Sequence, residues 1–153
     1  MARSPFQILV FPFRRVPEGL LYGIFRRRDG EYWQGIAGGG EDDETPLQTA
    51  RREACEEAGI SSEASAVPLS TIASVPALHF REHEGWGADV YVVTEYSFGI
   101  EVGEADLQIS SEHTDYRWLS YEDAYALLRY DSNRTALWEL HCRLLGTMVA
   151  LPS

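Results

Sequence analysis

The chain has few cysteines, no long apolar run, and no surplus of positive charge. Cys55 and Cys142 are its two cysteines and have neither metal-ligand nor redox spacing; two thiols without an export signal suit a reducing compartment. Met1 to Ser4 is too short and too weakly basic for a signal n-region. The apolar stretch behind it, Phe6 to Phe13, is interrupted by Pro12. No secretion signal and no membrane span is therefore expected, and the expected location is cytoplasmic. The net charge of −11 opposes binding to polyanions, so no DNA- or RNA-coating role is expected. Internal repeats, low-complexity tracts and long linkers are also lacking. What is present is 44% apolar and 24% charged residues over 153 positions, the make-up of one globular domain spanning 1–153.

Turn signals divide the chain. Gln7 to Phe13 reads as a buried strand, followed by a Pro17-Glu18-Gly19 turn, a strand over Leu20 to Phe25, and a turn at Arg27 to Gly30. Tyr32 to Ala37 is short and extended and leads into Gly38-Gly39-Gly40. Thr45 is a helix N-cap with Pro46 at the first helical position and Gly59 as the stop. Leu69 to Phe80 and Ala88 to Phe98 read as a long hairpin around Glu84 to Gly87, and Arg117 to Leu119 as a short strand. Ser120 opens a helix to about Tyr130, and Ser132 or Asn133 opens the last one, to about Val149. This pattern describes an α/β fold, a mixed sheet with helices packed on it.

The acids are unevenly spread. Residues 41–57 hold Glu41, Asp42, Asp43, Glu44, Glu53, Glu56 and Glu57 against only Arg51 and Arg52. A run of this kind is ordinarily a solvated face. The spacing argues otherwise. At about 100° per residue, Leu47, Ala50, Ala54 and Ala58 share a core stripe, while Glu53, Glu56 and Glu57 crowd a second arc. They repel one another and sit toward the helix C-terminus, where the dipole disfavours negative charge. A hard divalent cation such as Mg²⁺ or Mn²⁺ resolves the conflict, and the absence of His and Cys from the cluster argues against Zn²⁺. Gly38 to Gly40, just upstream, suit close backbone approach or positive φ, as a candidate phosphate or metal loop.

The run from Gly38 through Glu44, Arg52-Glu53-Ala54, Glu56-Glu57 and Gly59-Ile60 resembles the Nudix box, G-x5-E-x7-R-E-U-x-E-E-x-G-U with U apolar, and matches every fixed position. The glycine usual just before the first Glu of the box is Asp43 here. The resemblance to the Nudix (MutT-like) hydrolases implies an α/β/α sandwich with a mixed sheet. It also implies cleavage of a diphosphate linked to some moiety X, by water attack on phosphorus with Mg²⁺ (Mn²⁺ as substitute). It makes Glu53, Glu56 and Glu57 metal ligands, one of them a candidate general base, with a backbone carbonyl of Ala37 or Gly38 as a further ligand. Arg52 orients the carboxylates. Glu44 supports the loop or contacts metal or substrate through water.

Beyond the box, Glu112-His113 ahead of Trp118-Leu119 resembles the dihydroneopterin triphosphate pyrophosphohydrolases and some nucleoside triphosphate members. There a comparable acid binds metal or serves as base, which makes Glu112 a catalytic and metal candidate, with Asp115 the weaker one and His113 more a neighbour than a ligand. Trp33-Gln34-Gly35 and Ser132-Asn133-Arg134 are similar to segments of the same subgroup. Trp33, His79, Phe80, Arg81, Trp86 and Tyr91 could line a pocket for a flat heterocycle, with Asn133 beside them, although aromatics on strands are more often core. Arg14, Arg15 and Arg26 to Arg28 read mostly as exposed edge charges. The expected substrate is a small nucleotide or pterin polyphosphate, handled by a monomer or homodimer. The alternatives are a hydrolase of dinucleoside polyphosphates or nucleotide sugars and a catalytically silent nucleotide-binding module. An isomerase of the same fold would need a catalytic cysteine outside the box, and Cys142 is poorly placed for it.

Overall fold

Six consecutive residues, Ile8 to Phe13, are fully or almost fully buried, which places their strand at the centre of a sheet covered on both faces. The computed structural model, which describes residues 2–104 and 106–152, shows how. Strand β1 (Arg3–Val16) pairs antiparallel with β2 (Gly19–Arg27) and with β4 (Ile36–Glu41), and parallel with β6 (Val92–Glu101). Strands β3 (Trp33–Gln34) and β7 (His113–Leu119) pair with β2, and β5 (Ala66–Pro76) closes the other edge on β6. The result is a seven-stranded mixed sheet.

Alternation along β1 assigns its two faces. Ile8 and Val10 turn toward helix α1 (Pro46–Ala58), where Ala50, Ala54 and Ala58 pack against them with Phe25 and Ile36. Leu9, Phe11 and Phe13 turn the other way, onto α2 (Tyr121–Leu127) and α3 (Asp131–Leu145) through Ala124, Ala136, Leu137 and Leu140. Each fully buried Leu or Phe contributes roughly 1.5–3 kcal/mol. This is an α/β/α sandwich. No helix among the described residues is long and apolar enough to cross a membrane.

Several sequence expectations need correction. Gly38 to Gly40 lie within β4 rather than in a loop, and none has positive φ; the chain turns afterwards, at Asp42, with φ 50°. Tyr32 to Ala37 is not one extended piece but is split at Gly35 between β3 and β4. Strands β5 and β6 do pair, Pro76 opposite Val92, but no tight turn joins them. Two 3₁₀ turns, Ala77–His79 and Arg81–Trp86, form the connection, because the Trp86 indole donates to the Arg3 carbonyl at 2.7 Å and folds the segment back over β1. Leu47 is 36% exposed and stays outside the core, since the first turn of α1 stands clear of the sheet. Helix α2 ends at Leu127. Helix α3 begins at Asp131 without a side-chain cap and stops at Leu145, where Gly146 takes φ 79°, rather than at Val149.

Candidate functional site

Local rules build the scaffold of the site. Thr45 Oγ1 accepts from the Gln48 amide at 3.2 Å, and Gln48 Oε1 accepts from the Thr45 amide at 2.8 Å, a reciprocal cap behind Pro46. At the other end Gly59 takes φ 70°, a left-handed stop that glycine adopts without strain. The α1 carboxylates therefore stand on a rigid element.

One guanidinium organises them. Arg52 Nε donates to Glu44 Oε2 at 2.8 Å, Nη2 to Glu44 Oε1 at 3.0 Å and to the Gly39 carbonyl at 2.8 Å, and Nη1 to Glu53 at 3.0 Å and Glu56 at 3.1 Å. Glu41 lies 3.5 Å from Nη1. Glu44 also accepts from Thr49 Oγ1 and the Glu41 amide. The Arg52 hydrogen bonds hold its carboxyl down to about 2. Burial instead pushes Glu53 up to about 7, against the pull of Arg52. Glu57 is buried, accepts from the Ser110 hydroxyl, and has His113 Nδ1 3.5 Å away. Burial lowers the pKa of His113, and among the described residues neither ring nitrogen has a hydrogen-bond partner. The 108–110 segment is pinned to the end of α1 by Gln108 N to Ala58 O and Ser110 N to Glu57 O, each 2.9 Å.

Gly38 joins this cluster to open space. A Cβ there would stand 2.2 Å from Glu53 Cδ, so only glycine admits the carboxylate against β4. The same residue lines a cleft of about 890 Å³. Its floor is the sheet face opposite α1, where Gln7, Leu9 and Glu95 lie; Gln34, Asn133, Tyr32, Tyr130, His79, Phe80 and Arg81 surround it, and Arg3, Arg27 and Glu112 also border it. A flatter hollow of about 500 Å³ lies among Glu41 to Glu44, Gln48 and Arg52, and neither it nor the cleft is lined by Glu53, Glu56 or Glu57, so Gly38 is the contact between cleft and carboxylates.

The donor set at α1 suits a hard cation: carboxylates of Glu53, Glu56 and Glu57 and the backbone at Gly38, all oxygen, with a largely covered Glu53 that gains from a neighbouring positive charge. As placed, Arg52 holds Glu53 and Glu56 while Ser110 and His113 flank Glu57, and among the described residues no three His, Cys, Asp or Glu side chains converge to metal-binding distance.

Of the other candidates, Glu112 lies at the cleft rim, 57% exposed and 3.9 Å from Arg27 Nη1. Its loop is tied by the Arg28 amide to the Glu112 carbonyl and by Arg28 Nε to the Ser111 carbonyl. Phe80, Arg81, His79 and Asn133 border the cleft; Trp33 does not, its ring lying under Arg117 at 4.7 Å. Trp86 is engaged with Arg3, Tyr91 is exposed, Asp115 accepts from the next amide, and Glu44 is outside the cleft. Arg14 covers Trp118 and Arg15 and Arg26 pair with Glu101 and Glu31, as edge charges do, but Arg27 faces the cleft. Gln7, Glu95, Tyr32, Tyr130 and Ser110 went unnoticed in the sequence. The one available signal was a carboxylate in the middle of the apolar strand β6.

The model of the NUDIX domain matches residues 13–139. The chain belongs to the Nudix family. Within that family it is 29% identical over 137 residues to dihydroneopterin triphosphate diphosphatase of Escherichia coli, with 88% of this chain and 91% of the relative covered. It is 29% identical over 157 aligned positions to the asymmetrical bis(5'-nucleosyl)-tetraphosphatase of Sus scrofa, covering 98% and 100%. A solved NUDIX hydrolase from Listeria monocytogenes superposes with a TM-score of 0.85 at 41% identity, covering 94% and 96% of the two chains. The protein is a Nudix hydrolase, and Nudix hydrolases generally use divalent metals.

Proposed function

We propose that this Nudix hydrolase is a Mg²⁺-dependent pyrophosphohydrolase of a nucleoside or pterin triphosphate, with Mn²⁺ as a substitute ion, acting as one domain over 1–153. Water adds to phosphorus, a phosphoanhydride P–O bond breaks, and pyrophosphate and a monophosphate leave. The observation that carries the reading is Gly38, with the Glu53 carboxylate against its backbone and the cleft opening beside it. Arg3 and Arg27 border the same cleft in an otherwise acidic protein, and guanidinium forks match phosphate oxygens. Relatives named for dihydroneopterin triphosphate and for bis(5'-nucleosyl) tetraphosphate support a substrate of this polyphosphate class.

Glu53, Glu56 and Glu57, with the Gly38 carbonyl, would hold the ion. When bound, it neutralises phosphate charge and lowers the pKa of water. Arg52 keeps Glu53 and Glu56 side by side. Glu53 or Glu57, rather than Glu44, takes the proton of the attacking water, because a carboxyl at about 2 is too weak a base. Glu112 stands at the rim as a further acid for ion or water, and Phe80, Arg81 and Asn133 bind the head group.

The test is a screen for pyrophosphate and phosphate release with Mg²⁺. Its panel comprises nucleoside triphosphates, dihydroneopterin triphosphate, dinucleoside polyphosphates and nucleotide sugars. Pyrophosphate release that EDTA abolishes is expected, and Glu57→Gln should remove it by roughly 10²–10⁴-fold with the fold intact by circular dichroism. Full activity in Glu57→Gln would sink the assignment. A silent binding module draws on a separate observation, the capture of Glu53 and Glu56 by Arg52; tight binding of one compound without turnover across the panel would favour it.

A further inference from the structure

A carboxylate on a covered sheet face is costly unless something pairs with it. Glu95 lies mid-strand in β6, 5% exposed, on the cleft floor beside its register partner Gln7. Gln7 Nε2 donates to Glu95 Oε2 at 2.6 Å. That neutral amide is its side-chain partner among the described residues; no cation stands against it. Burial raises the Glu95 carboxyl above its ordinary range, and the Gln7 hydrogen bond only partly opposes this. The buried Gln34 amide borders the same cleft. Asn133 commits Oδ1 to the Gly35 amide at 2.9 Å and one Nδ2 hydrogen to Ser132 Oγ at a long 3.5 Å, which leaves a second Nδ2 hydrogen for a ligand.

An acceptor-only group beside amide donors selects a particular heterocycle edge. Two adjacent N–H donors meet the carboxylate, and a ring carbonyl next to them meets an amide. Guanine and pterins share that edge, that of a 2-amino-4-oxopyrimidine ring. Adenine sets one donor beside an acceptor, cytosine one donor beside two acceptors, and uracil one donor between two carbonyls, so each turns an acceptor toward a carboxylate that repels it. We propose that Glu95, oriented by Gln7, reads the head group of the substrate and selects a guanine- or pterin-type ring, with Gln34 and Asn133 on its carbonyl side. This specificity residue rests on the hydrolase reading above and names the X that reading leaves open.

GTP and ITP test it, because they differ only in the 2-amino group. For the full-length protein, kcat/KM is measured with Mg²⁺, and equilibrium binding separately by calorimetry in EDTA. Loss of one hydrogen bond to a charged group predicts roughly 10-fold to 100-fold preference for GTP by both measures. In Glu95→Gln, isosteric with the native residue, the preference should collapse to within about twofold. Wild-type protein alone gives a second readout, GTP and dihydroneopterin triphosphate ahead of ATP, CTP and UTP. A GTP-to-ITP ratio near one in wild type, a ratio unmoved in Glu95→Gln, or failure to bind either guanine or pterin compound while another is hydrolysed overturns the assignment and leaves the hydrolase standing. A binding preference that Glu95→Gln abolishes, without turnover of any compound, supports Glu95 and overturns the hydrolase.

Discussion

Glu44 and Glu53 touch the same guanidinium and end at opposite extremes. At the loop before α1, Glu44 takes two donors from Arg52, one from Thr49 and one from the Glu41 amide, and its carboxyl falls to about 2. On the helix face, Glu53 takes a single Arg52 donor at 3.0 Å, lies against Gly38, and rises to about 7. Both belong to one sequence motif, and both carry the same formal charge. The difference is the number of donors against the degree of burial. A carboxylate whose lone pairs are all used fixes structure; one buried with lone pairs left over is available to a cation or a water proton.

The largest expected effect tests that division directly. Glu53→Gln should lower kcat for pyrophosphate release by roughly 10²–10⁴-fold, whereas Glu44→Gln, acting through the groups it orients, should cost about 10–100-fold. Equal losses would erase the distinction. Next comes Arg52→Lys, which keeps the charge but loses the fork that spans Glu44, Glu53 and Gly39. Turnover should fall about 10–100-fold and urea melts should show a loss of roughly 1–3 kcal/mol; retention of both would mean that charge, rather than fork geometry, is all Arg52 supplies.

The smallest effect is the most diagnostic. The folded state depresses Glu44 below its ordinary 4.5, so its stabilisation is full above about 4.5 and is lost as pH falls toward 2. Glu53 is raised, so the folded state keeps a proton that the unfolded chain releases, and metal-free stability declines as pH rises from about 4.5 to about 7. In EDTA, Glu53→Gln should therefore melt higher than wild type above pH 7 and converge with it below about 4.5. Glu44→Gln should melt lower at neutral pH and converge near pH 2. Thermal melts across this range decide the matter, and two variants shifted on the same arm would remove the contrast.

How much of this was legible in the sequence depends on distance along the chain. The cap at Thr45 and the stop at Gly59 follow from helix geometry over a few residues and appear as expected, whereas Glu53, Glu56 and Glu57, neighbours by the same geometry, do not converge to metal-binding distance. The triple glycine was read correctly as permitting close approach but wrongly as a loop, because only the packing of Glu53, Arg3 and Phe6 onto β4 shows that the need is space rather than backbone freedom. Phe80 and Arg81 reached the cleft from a 3₁₀ connection instead of a strand, since Trp86 bonds to Arg3, a partner far away in sequence. Trp33, chosen for its ring, was drawn away by Arg117.

The sequence by itself determined that a capped, acid-faced helix follows a strand and that its spacing is that of the Nudix box, because residues three and four apart in a helix are neighbours whatever surrounds them. Only the tertiary structure decided which carboxylates Arg52 satisfies, that Ser110 and His113 come to Glu57, and that Gln7 faces Glu95. Those meetings are set by strand register and by the packing of distant segments, and a register shift of one residue would turn Gln7 and Glu95 to opposite faces of the sheet.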